Sequence, residues 1–585
     1  MSWPHANSTS EILAAKLFEG SALSGHDSGH AANSFVTGHD SGHAANSFVT
    51  GHDSGHAANS FVTGHDFSRA DNANKMSRAL APEGGVLETR REIGLFFPAS
   101  LAPEGTGIFK AIFAITFFAS LIAPPALFSQ QQKPWEKIPI PKLHDFKPQQ
   151  PKRIELKNGI VIFLQEDHEL PFIYGSVLIP GGSRDEQPAK AGLTGIYGQA
   201  WRTSGTAKMD GDAMDDLLEA KAAHIETAAD EDSTALSWDS LKGDSDQVYA
   251  LAMDLLFHPS FKHEKLVLAQ QQQAAGIVRR NDDEGQIADR EASRLIYGPH
   301  SPYTLQPELA TIGAVTIDDL KAWHDRTIGG KLIIGVSGDF DPAAMEAKLR
   351  ATFEGLPPAN PAPPRHDVFP VPAHTVSFID KTDVNQSNIQ IVGAGIDRRN
   401  PDVPAVEVMN GVLGDGFASR LFQEVRTRLG LAYAVGGGLG SDWDHPGEFR
   451  VEVLTKSSTT VQATKAALDV LESMTTHPVT QDELERAKDN ILNSFLFRYD
   501  TREKVLQARE ELEFYSYPAD YLETYHKALE DVTLADVNRV ALKYVQPGKM
   551  GVLVVGNESE IKPGLEALKL GPVRPIDIAI PGATP

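Results

Sequence analysis

The sequence predicts an α+β fold in which two similar domains each combine a mixed sheet with packed helices. Strand-like and helix-like segments follow one another in the same order twice, at 151–355 and at 374–575. A repeated order of mixed elements indicates two homologous domains. The segment 356–373 between them is rich in proline, which is typical of an interdomain linker.

The first predicted domain begins with a hairpin. Asn158-Gly159 stands between two apolar runs, and Asn-Gly in that position is the strongest short signal for a hairpin. Apolar runs predict further strands at 172–180, 233–240 and 332–338. Helical patterns cover 190–199, 210–223, 244–256, 263–280 and 317–324.

The second predicted domain repeats this order of strands and helices. Apolar runs predict strands at 376–379, 389–394, 431–437, 448–455 and 549–555. Helical patterns cover 403–413, 419–428, 461–474, 481–497 and 502–514. Between them, the segment 435–440 is rich in glycine but does not join a strand to a helix as a nucleotide-binding loop does. We expect it to let a strand run close to a bound peptide or to another strand.

Length and composition limit the classes of function. The chain has 585 residues, which predicts three or four units, and a formal net charge of −24. This acidic balance argues against nucleic acid and anionic membrane surfaces as partners. The chain contains no Cys, so disulfides, thiolate catalysis and Cys-ligated zinc are excluded.

Residues 1–106 do not resemble a folded domain. One 13-residue unit, rich in Gly, Ser, Asn and His, occurs at 25–37, 38–50 and 51–63, and a fourth copy begins at Gly64. Such a unit cannot bury an apolar face, so we expect either a disordered segment or sequence that is not part of the natural protein. Weak metal binding by the histidine pairs of the repeat is the alternative.

Residues 107–130 have the pattern of a signal peptide. Lys110 precedes an uncharged run at 111–123, and small residues follow the prolines that end the run. This predicts an exported protein, periplasmic or secreted, whose translation starts near this segment. A short membrane anchor formed by 108–128 is the alternative. Residues 131–150, rich in Pro, Lys and Gln, are predicted to be a linker.

The segment Lys-Ala-Gly-Leu-Thr-Gly-Ile-Tyr-Gly-Gln at 190–199 resembles a motif of the pitrilysin/insulinase family of zinc metallopeptidases. That family has G-L-x-H-x-x-E-H, in which two His bind zinc and the Glu activates the bound water. Here Gly195, Gly198 and Gln199 stand at the three positions. These side chains cannot replace two imidazoles and a base, so the resemblance implies that the metal site is lost.

The resemblance places the third zinc ligand, a Glu on a later helix, at or beside Gly276. The surrounding stretch 270–278 contains no carboxylate, and neither H-x-x-E-H nor H-E-x-x-H occurs elsewhere in the chain. His224 with Glu226, and His263 with Glu264, lack ligand spacing and are predicted to be surface residues. We therefore expect no metal and no catalytic residue in this chain acting alone.

A second motif lies at 414–433 and is similar to the family signature S-R-L-F-x-x-x-R-x-x-x-G-L-A-Y. The resemblance implies that Arg426 and Tyr433 project into a chamber and bind substrate beside the zinc. Their chemistry suits this role, because Arg presents a rigid fork of donors and a Tyr hydroxyl donates to an oxyanion. Of Arg420 and Arg428, one is predicted to pair with a neighbour and the other to face solvent.

The helix at 419–428 is predicted to bury an apolar stripe. Leu421, Phe422, Val425 and Leu429 form this stripe, and Gly430 ends the helix. Arg426 lies off the stripe, near the C-terminal end of the helix.

The family resemblance covers about 150–575 and implies a clamshell of two lobes that encloses peptides. Because the second half keeps the Arg–Tyr signature and the first half has lost the metal site, the resemblance implies the non-catalytic subunit of a heterodimeric zinc peptidase. Zinc is then expected in the partner subunit, a family member with an intact H-x-x-E-H motif. A non-enzymatic peptide-binding or scaffolding protein is the first alternative, and a stand-alone peptidase with an unrecognised site is the second.

Overall fold

Each half of the chain builds one six-stranded sheet. The structure is a computed structural model that describes residues 146–360 and 375–582. The first half contains β1 (Lys152–Glu155), β2 (Val161–Glu166), β3 (Phe172–Pro180), α1 (Leu193–Ser204), α2 (Gly211–Ala220), β4 (His224–Ala229), β5 (Ser233–Leu241), α3 (Ser245–Phe257), α4 (His263–Arg279), α5 (Glu284–Tyr297), α6 (Leu309–Gly313), α7 (Ile317–Ile328), β6 (Ile333–Gly338) and α8 (Pro342–Phe353).

The second half repeats the pattern and extends it with further helices. It contains β7 (Val376–Asp380), β8 (Gln386–Ala394), β9 (Ile396–Asp397), α9 (Val403–Leu413), a π-helix (Phe422–Arg428), β10 (Ala432–Leu439), β11 (Ser441–Asp442), β12 (Glu448–Lys456), α10 (Thr460–Thr476), α11 (Gln481–Arg498), α12 (Arg502–Phe514), α13 (Tyr521–Asp531), α14 (Leu534–Tyr544), β13 (Gly551–Gly556), α15 (Glu558–Ala567) and β14 (Val573–Pro575).

The two large sheets share one topology. Their strand orders are β1-β2-β6-β3-β5-β4 and β14-β7-β13-β8-β12-β10, when the second is read from β14. In both, the second and third strands are parallel and the following neighbours are antiparallel. The sheets differ at the first strand, since β1 is antiparallel to β2 whereas β14 is parallel to β7. This confirms the predicted α+β class with two similar halves.

The predicted hairpin forms where Asn158-Gly159 stands. Gly159 adopts a positive φ of 88°, which glycine tolerates without steric cost, and β1 pairs antiparallel with β2. The amide of the buried Asn158 donates to the carbonyls of Phe353 and Leu356, at 2.8 and 3.2 Å. The turn is thus tied to the end of α8.

Each sheet lies between helices of its own half and one helix of the other half. On the first sheet, α12 packs against β2, β3 and β6, and Leu506 contacts Val161, Phe163 and Ile333. On the second sheet, α5 packs against β8 and β13 through Ile287 and Ala288. The halves therefore exchange one helix each, which sequence periodicity does not reveal.

Several predictions of the sequence concern other parts of the chain. The repeat segment, the signal segment and most of the 131–150 linker lie outside the residues that the structure describes, and so do residues 361–373 of the proline-rich linker. The domain limits at 151–355 and 374–575 stay predictions. Within the described ranges, no helix is both long and apolar enough to cross a membrane.

Candidate functional site

The helix α1 presents the three predicted positions on one side. Ile196, Tyr197 and Trp201 are fully buried and fix the opposite side against the core of the first half. The helix begins after Gly192, where φ is +96°, and the carboxylate of Glu186 accepts from the backbone nitrogens of Gly192 and Thr194. With α1 held in this way, Gly195, Gly198 and Gln199 line a pocket of about 370 Å³.

The opposite wall of this pocket is the edge strand β4, which contributes Glu226, Thr227 and Ala229. The hydroxyl of Thr227 donates to the carbonyl of Gly198 at 2.6 Å. A Cβ on residue 198 would lie 3.2 Å from the Cβ of Ala229, so the strand has packed close to the glycine. Glu226 is exposed, as predicted for a surface residue, but it also lines the pocket.

A glutamine on α4 fills the space beside Gly195. The Nε2 atom of Gln273 lies 2.3 Å from the position that a Cβ on residue 195 would occupy. Gly276, the position predicted for the lost Glu, is exposed, has no atom within 4 Å of its own Cβ position, and does not line the pocket. The structure thus brings together three of the four predicted positions and adds Gln273. This glutamine lies on the side of α4 that also carries the buried residues Leu266, Gln270 and Ile277.

The residues of the pocket do not fit a zinc ion. Zinc in peptidases takes His nitrogens and a carboxylate, whereas α1 offers two glycines and an amide, and the Gln273 amide occupies the space between the helices. Across the described parts of the chain, no group of three or more His, Asp or Glu side chains is arranged so that it could hold a metal ion.

The second predicted set, Arg426 and Tyr433, is brought together by two irregular segments. Arg426 lies in the π-helix, where the nitrogen of Leu429 donates to the carbonyl of Glu424 at 3.0 Å, an i→i+5 bond. Tyr433 is the extra residue of a β-bulge, because Ala432 and Ala434 pair with the consecutive residues Thr455 and Leu454. π-Helical turns and bulges both occur preferentially at functional sites, where they redirect side chains.

The Arg426 guanidinium lies between two aromatic rings. Its central carbon is 4.9 Å from the ring centroid of Phe422 and 5.8 Å from that of Tyr433, within cation–π range. The ring of Phe417 meets Phe422 edge-on at 4.9 Å. Phe417 and Tyr433 are 75% and 70% exposed, so this aromatic and cationic surface faces solvent.

The two neighbouring arginines behave as the sequence predicts. Arg420 donates to both carboxylate oxygens of Glu483, at 2.7 and 2.9 Å, and this bond is the main cause that holds the pKa of Glu483 at about 2. Arg428 forms an ion pair with Glu424 on the surface, and its side chain is 64% exposed.

The predicted apolar stripe is confirmed at two of its four residues, since Phe422 is only half-buried and belongs to the surface around Arg426. Leu421 and Val425 are fully buried, but Leu429 is 38% exposed. The prediction assumed α-helical spacing, whereas Leu429 follows Arg428, the last residue of the π-helix, so that spacing does not apply to it. Gly430 ends the helix with a φ of +62°, as predicted.

The glycines at 435–440 allow β10 to approach its neighbours. A Cβ on Gly437 would lie 2.1 Å from the carbonyl oxygen of Arg450 on β12, and one on Gly438 would lie 2.4 Å from Oδ1 of Asn410 on α9. The sequence predicted that these glycines let the strand run close to a bound peptide or to another strand, and the structure shows the close contact with the strand β12.

The two predicted sets lie at equivalent edges of their sheets. The pocket adjoins β4, the edge of the first sheet, and Tyr433 lies on β10, the edge of the second. No hydrogen bond, ion pair or ring contact among the described residues joins Arg426 or Tyr433 to the pocket residues.

Comparison with known proteins agrees with this arrangement. The model of the insulinase family, peptidase family M16, matches residues 161–286, and the model of the peptidase M16 inactive domain matches residues 314–491. The chain belongs to the insulinase family. The first match covers α1 and all the residues that line the pocket, and the second covers Arg426 and Tyr433, so both candidate regions are matched by family models.

Individual relatives carry different names. The "non-peptidase homolog YmxG" of Helicobacter pylori is 23% identical over 410 residues, which are 69% of this chain and 93% of that protein. The "uncharacterized zinc protease YmxG" of Bacillus subtilis is 22% identical over 406 residues, 67% of this chain and 93% of that protein. For this insulinase-family member, the glycines of α1 support a non-catalytic, peptidase-like protein.

A solved structure of similar fold is the peptidase M16 inactive domain from Pseudomonas fluorescens. It is 25% identical and has a TM-score of 0.63, over 70% of this chain and 98% of that one. A protease from Helicobacter pylori, 18% identical with a TM-score of 0.60, covers 70% of this chain and 99% of its own and shares the fold.

Proposed function

We propose that this protein is the metal-free subunit of a heterodimeric zinc peptidase of the insulinase family. Its partner is a family member with an intact H-x-x-E-H motif, which supplies the zinc and the base. This chain contributes Arg426 and Tyr433 to a shared chamber in which a peptide is held and hydrolysed. The observation that carries the proposal is the pairing of an exposed Arg–Tyr surface with a pocket that cannot hold zinc.

The chemistry of the pair supports this division of work. The Arg426 guanidinium offers several donors for peptide carbonyl oxygens, and no ion pair within the described residues engages it. The Tyr433 hydroxyl is a donor for the oxyanion that forms when a peptide bond is attacked. Neither group activates water, so hydrolysis requires the partner.

The geometry of the edge strands supports a peptide ligand. Among the described residues, β4 and β10 each have one side without a strand neighbour, and an extended peptide binds such an edge through its main chain. The pocket beside β4 then receives a peptide side chain between Gln199 and Glu226. The same features support the alternative function, a protein that binds peptides in a clamshell without hydrolysing them.

The proposed compartment follows from the segment at 107–130, whose pattern is that of a signal peptide. We expect export to the periplasm or beyond and a mature chain that begins near Gln130. Mass spectrometry of the protein from its host checks this, and peptides from the His-rich repeat, such as one containing His39, would contradict it.

Affinity purification of the chain from its host tests the proposed function. The expected result is co-purification of a protein with an H-x-x-E-H motif, in a complex that hydrolyses peptides and loses activity to a zinc chelator. Peptide binding by the chain alone, with no such partner and no hydrolysis, would favour the scaffolding alternative. Chelator-sensitive hydrolysis by the chain alone would overturn both.

A further inference from the structure

A buried cluster of charged side chains joins the two halves. From the first half, Arg184 forms ion pairs with Asp444 at 2.7 Å and with its own half's Asp232 at 3.7 Å. From the second half, the hydroxyl of Tyr515 donates to Asp232. The ion-paired side chains are 10–17% exposed, so these contacts are shielded from solvent and stronger than surface pairs.

His445 completes the cluster and faces a carboxylate with each ring nitrogen. Nδ1 lies 2.9 Å from Oδ1 of Asp444, and Nε2 lies 3.5 Å from Oδ2 of Asp442. A neutral imidazole carries one N–H, so it can donate to only one of these acids. The arrangement is therefore complementary to the protonated ring.

The His445 ring is packed against the first half. It stacks on Tyr303 with centroids 3.9 Å apart and meets Tyr297 edge-on at 5.7 Å. Two charged groups of the first half influence the ring. The charge of Glu231 raises the pKa of His445, and Arg184 forms an ion pair with Asp444, the carboxylate that also contacts His445. The ring thus links a loop of the second half to residues of the first.

We propose that His445 is a proton-operated latch, which holds loop 443–447 against turn 230–232 when its ring is charged and loosens this contact when the ring is neutral. The turn joins β4 to β5, and β4 forms one wall of the pocket. The loop leads into β12, which pairs with the strand that bears Tyr433. Protonation would therefore adjust the Arg–Tyr surface relative to the pocket, whichever peptide function they serve.

The electrostatics give the direction of the effect. Burial alone disfavours the charged ring, but the hydrogen bond to Asp444 and the charges of Asp442 and Glu231 outweigh burial, so the pKa of His445 is raised above 6.5. The latch is then complete below 6.5, the ordinary pKa, and is lost as pH rises through the raised value. Asp444, whose pKa is held at about 2, stays ionised throughout.

Hydrogen exchange of the full chain tests the latch, with rates corrected for chemical exchange at each pH. Between about pH 5.5 and 8.5, where a histidine titrates, protection of segments 230–232 and 443–447 should fall together in the native protein. Burial raises the pKa of Glu231, which lies in turn 230–232, to about 7, so the comparison is made in a Glu231→Gln background, where His445→Gln should abolish this pH dependence. His224→Gln is the matched control, because His224 is exposed and pairs with Asp239 inside the first half.

A second variant keeps the test decisive if His445→Gln does not fold. Asp444→Asn removes the charge beside Nδ1 and should lower the midpoint by about one pH unit. An unchanged midpoint in Asp444→Asn, a native pH profile in His445→Gln, or independent responses of the two segments would overturn the proposal.

Discussion

The side-chain amide of Gln273 lies against Gly195, with Nε2 2.3 Å from where a Cβ on residue 195 would stand. Two helices that bind zinc together in active members of the family are thus packed here through a glutamine. The contact involves the flexible end of the glutamine, so it stabilises the packing of α1 and α4 without being rigid.

Alanine substitutions at the two glycines should differ in their effect on stability. Gly276→Ala adds a methyl group to an exposed helical position with open space around it, and should raise the free energy of unfolding by about 1 kcal/mol. Gly195→Ala should gain less, because the Gln273 amide must move. In a Gln273→Ala background, Gly195→Ala and Gly276→Ala should raise the free energy of unfolding by the same amount, as measured by chemical denaturation. Equal gains in the native background would show that Gln273 does not pack on Gly195.

The purified chain alone should contain no stoichiometric zinc and hydrolyse no peptide. Gly195, Gly198 and Gln199 provide neither a metal-binding imidazole nor a base. Elemental analysis and a peptide-hydrolysis assay check this. About one zinc per chain, lost on substitution of a single His, would contradict the absence of a metal site.

Stability should fall with rising pH because of one buried acid at the contact between the halves. Glu510 on α12 accepts from the Ser176 hydroxyl at 2.7 Å, and burial raises its pKa from 4.5 to about 8. Between these values the folded state holds a proton that the unfolded state lacks, so stability decreases as pH rises through this range. Glu510→Gln should retain the hydrogen bond, make this slope shallower while leaving the parts due to Glu231 and His445, and be the more stable protein above pH 8.

Thermal unfolding at several pH values measures this effect. Glu566→Gln, at an exposed position of α15, is the control and should follow the native profile. If Glu510→Gln unfolds with the same pH dependence as the native chain, Glu510 is not the buried acid responsible.

Arg420 and Arg428 should differ in their contribution to stability, although they flank the same segment. Arg420 binds Glu483 through two hydrogen bonds and also donates to the carbonyls of Ser473 and His477. Arg420→Ala should therefore cost about 1.5–3 kcal/mol, as expected for hydrogen bonds to a charged group. Arg428→Ala should change stability by less than about 0.5 kcal/mol. Similar losses in urea denaturation would contradict the anchoring role of Arg420.

The sequence predicted elements whose signals are local. Strand 172–180 and helix 403–413 match β3 and α9. An apolar run defines the strand, and a proline in the first turn and a glycine after the last residue define the helix, so neither depends on the rest of the fold. The exchange of α5 and α12 between the sheets could not be predicted, since either sheet offers an apolar face. The bulge at Tyr433 and the π-helix around Arg426 depend on pairing with β12 and packing on the core, which periodicity does not encode.

The sequence predicted the residues of the candidate site on α1 but not the residue of α4 that faces them. Motif spacing identified Gly195, Gly198 and Gln199 on α1, but spacing along α4 indicated Gly276, whereas Gln273 faces Gly195. Helix–helix rotation decides which of two residues one turn apart faces a neighbour, and the stripe containing Leu266, Gln270 and Ile277 was the available signal for it.

The most direct test of the central claim is the turnover of the complex with the zinc-bearing partner. Arg426→Ala or Tyr433→Phe in this chain should lower turnover about 10²–10³-fold, the usual loss for a positioned oxyanion donor. Arg428→Ala, two residues from Arg426 and exposed, should leave turnover unchanged, and size-exclusion chromatography should show intact complexes for all three. If both Arg426→Ala and Tyr433→Phe assemble normally and keep full activity on several peptides, the claim that this subunit supplies these groups to the reaction is contradicted.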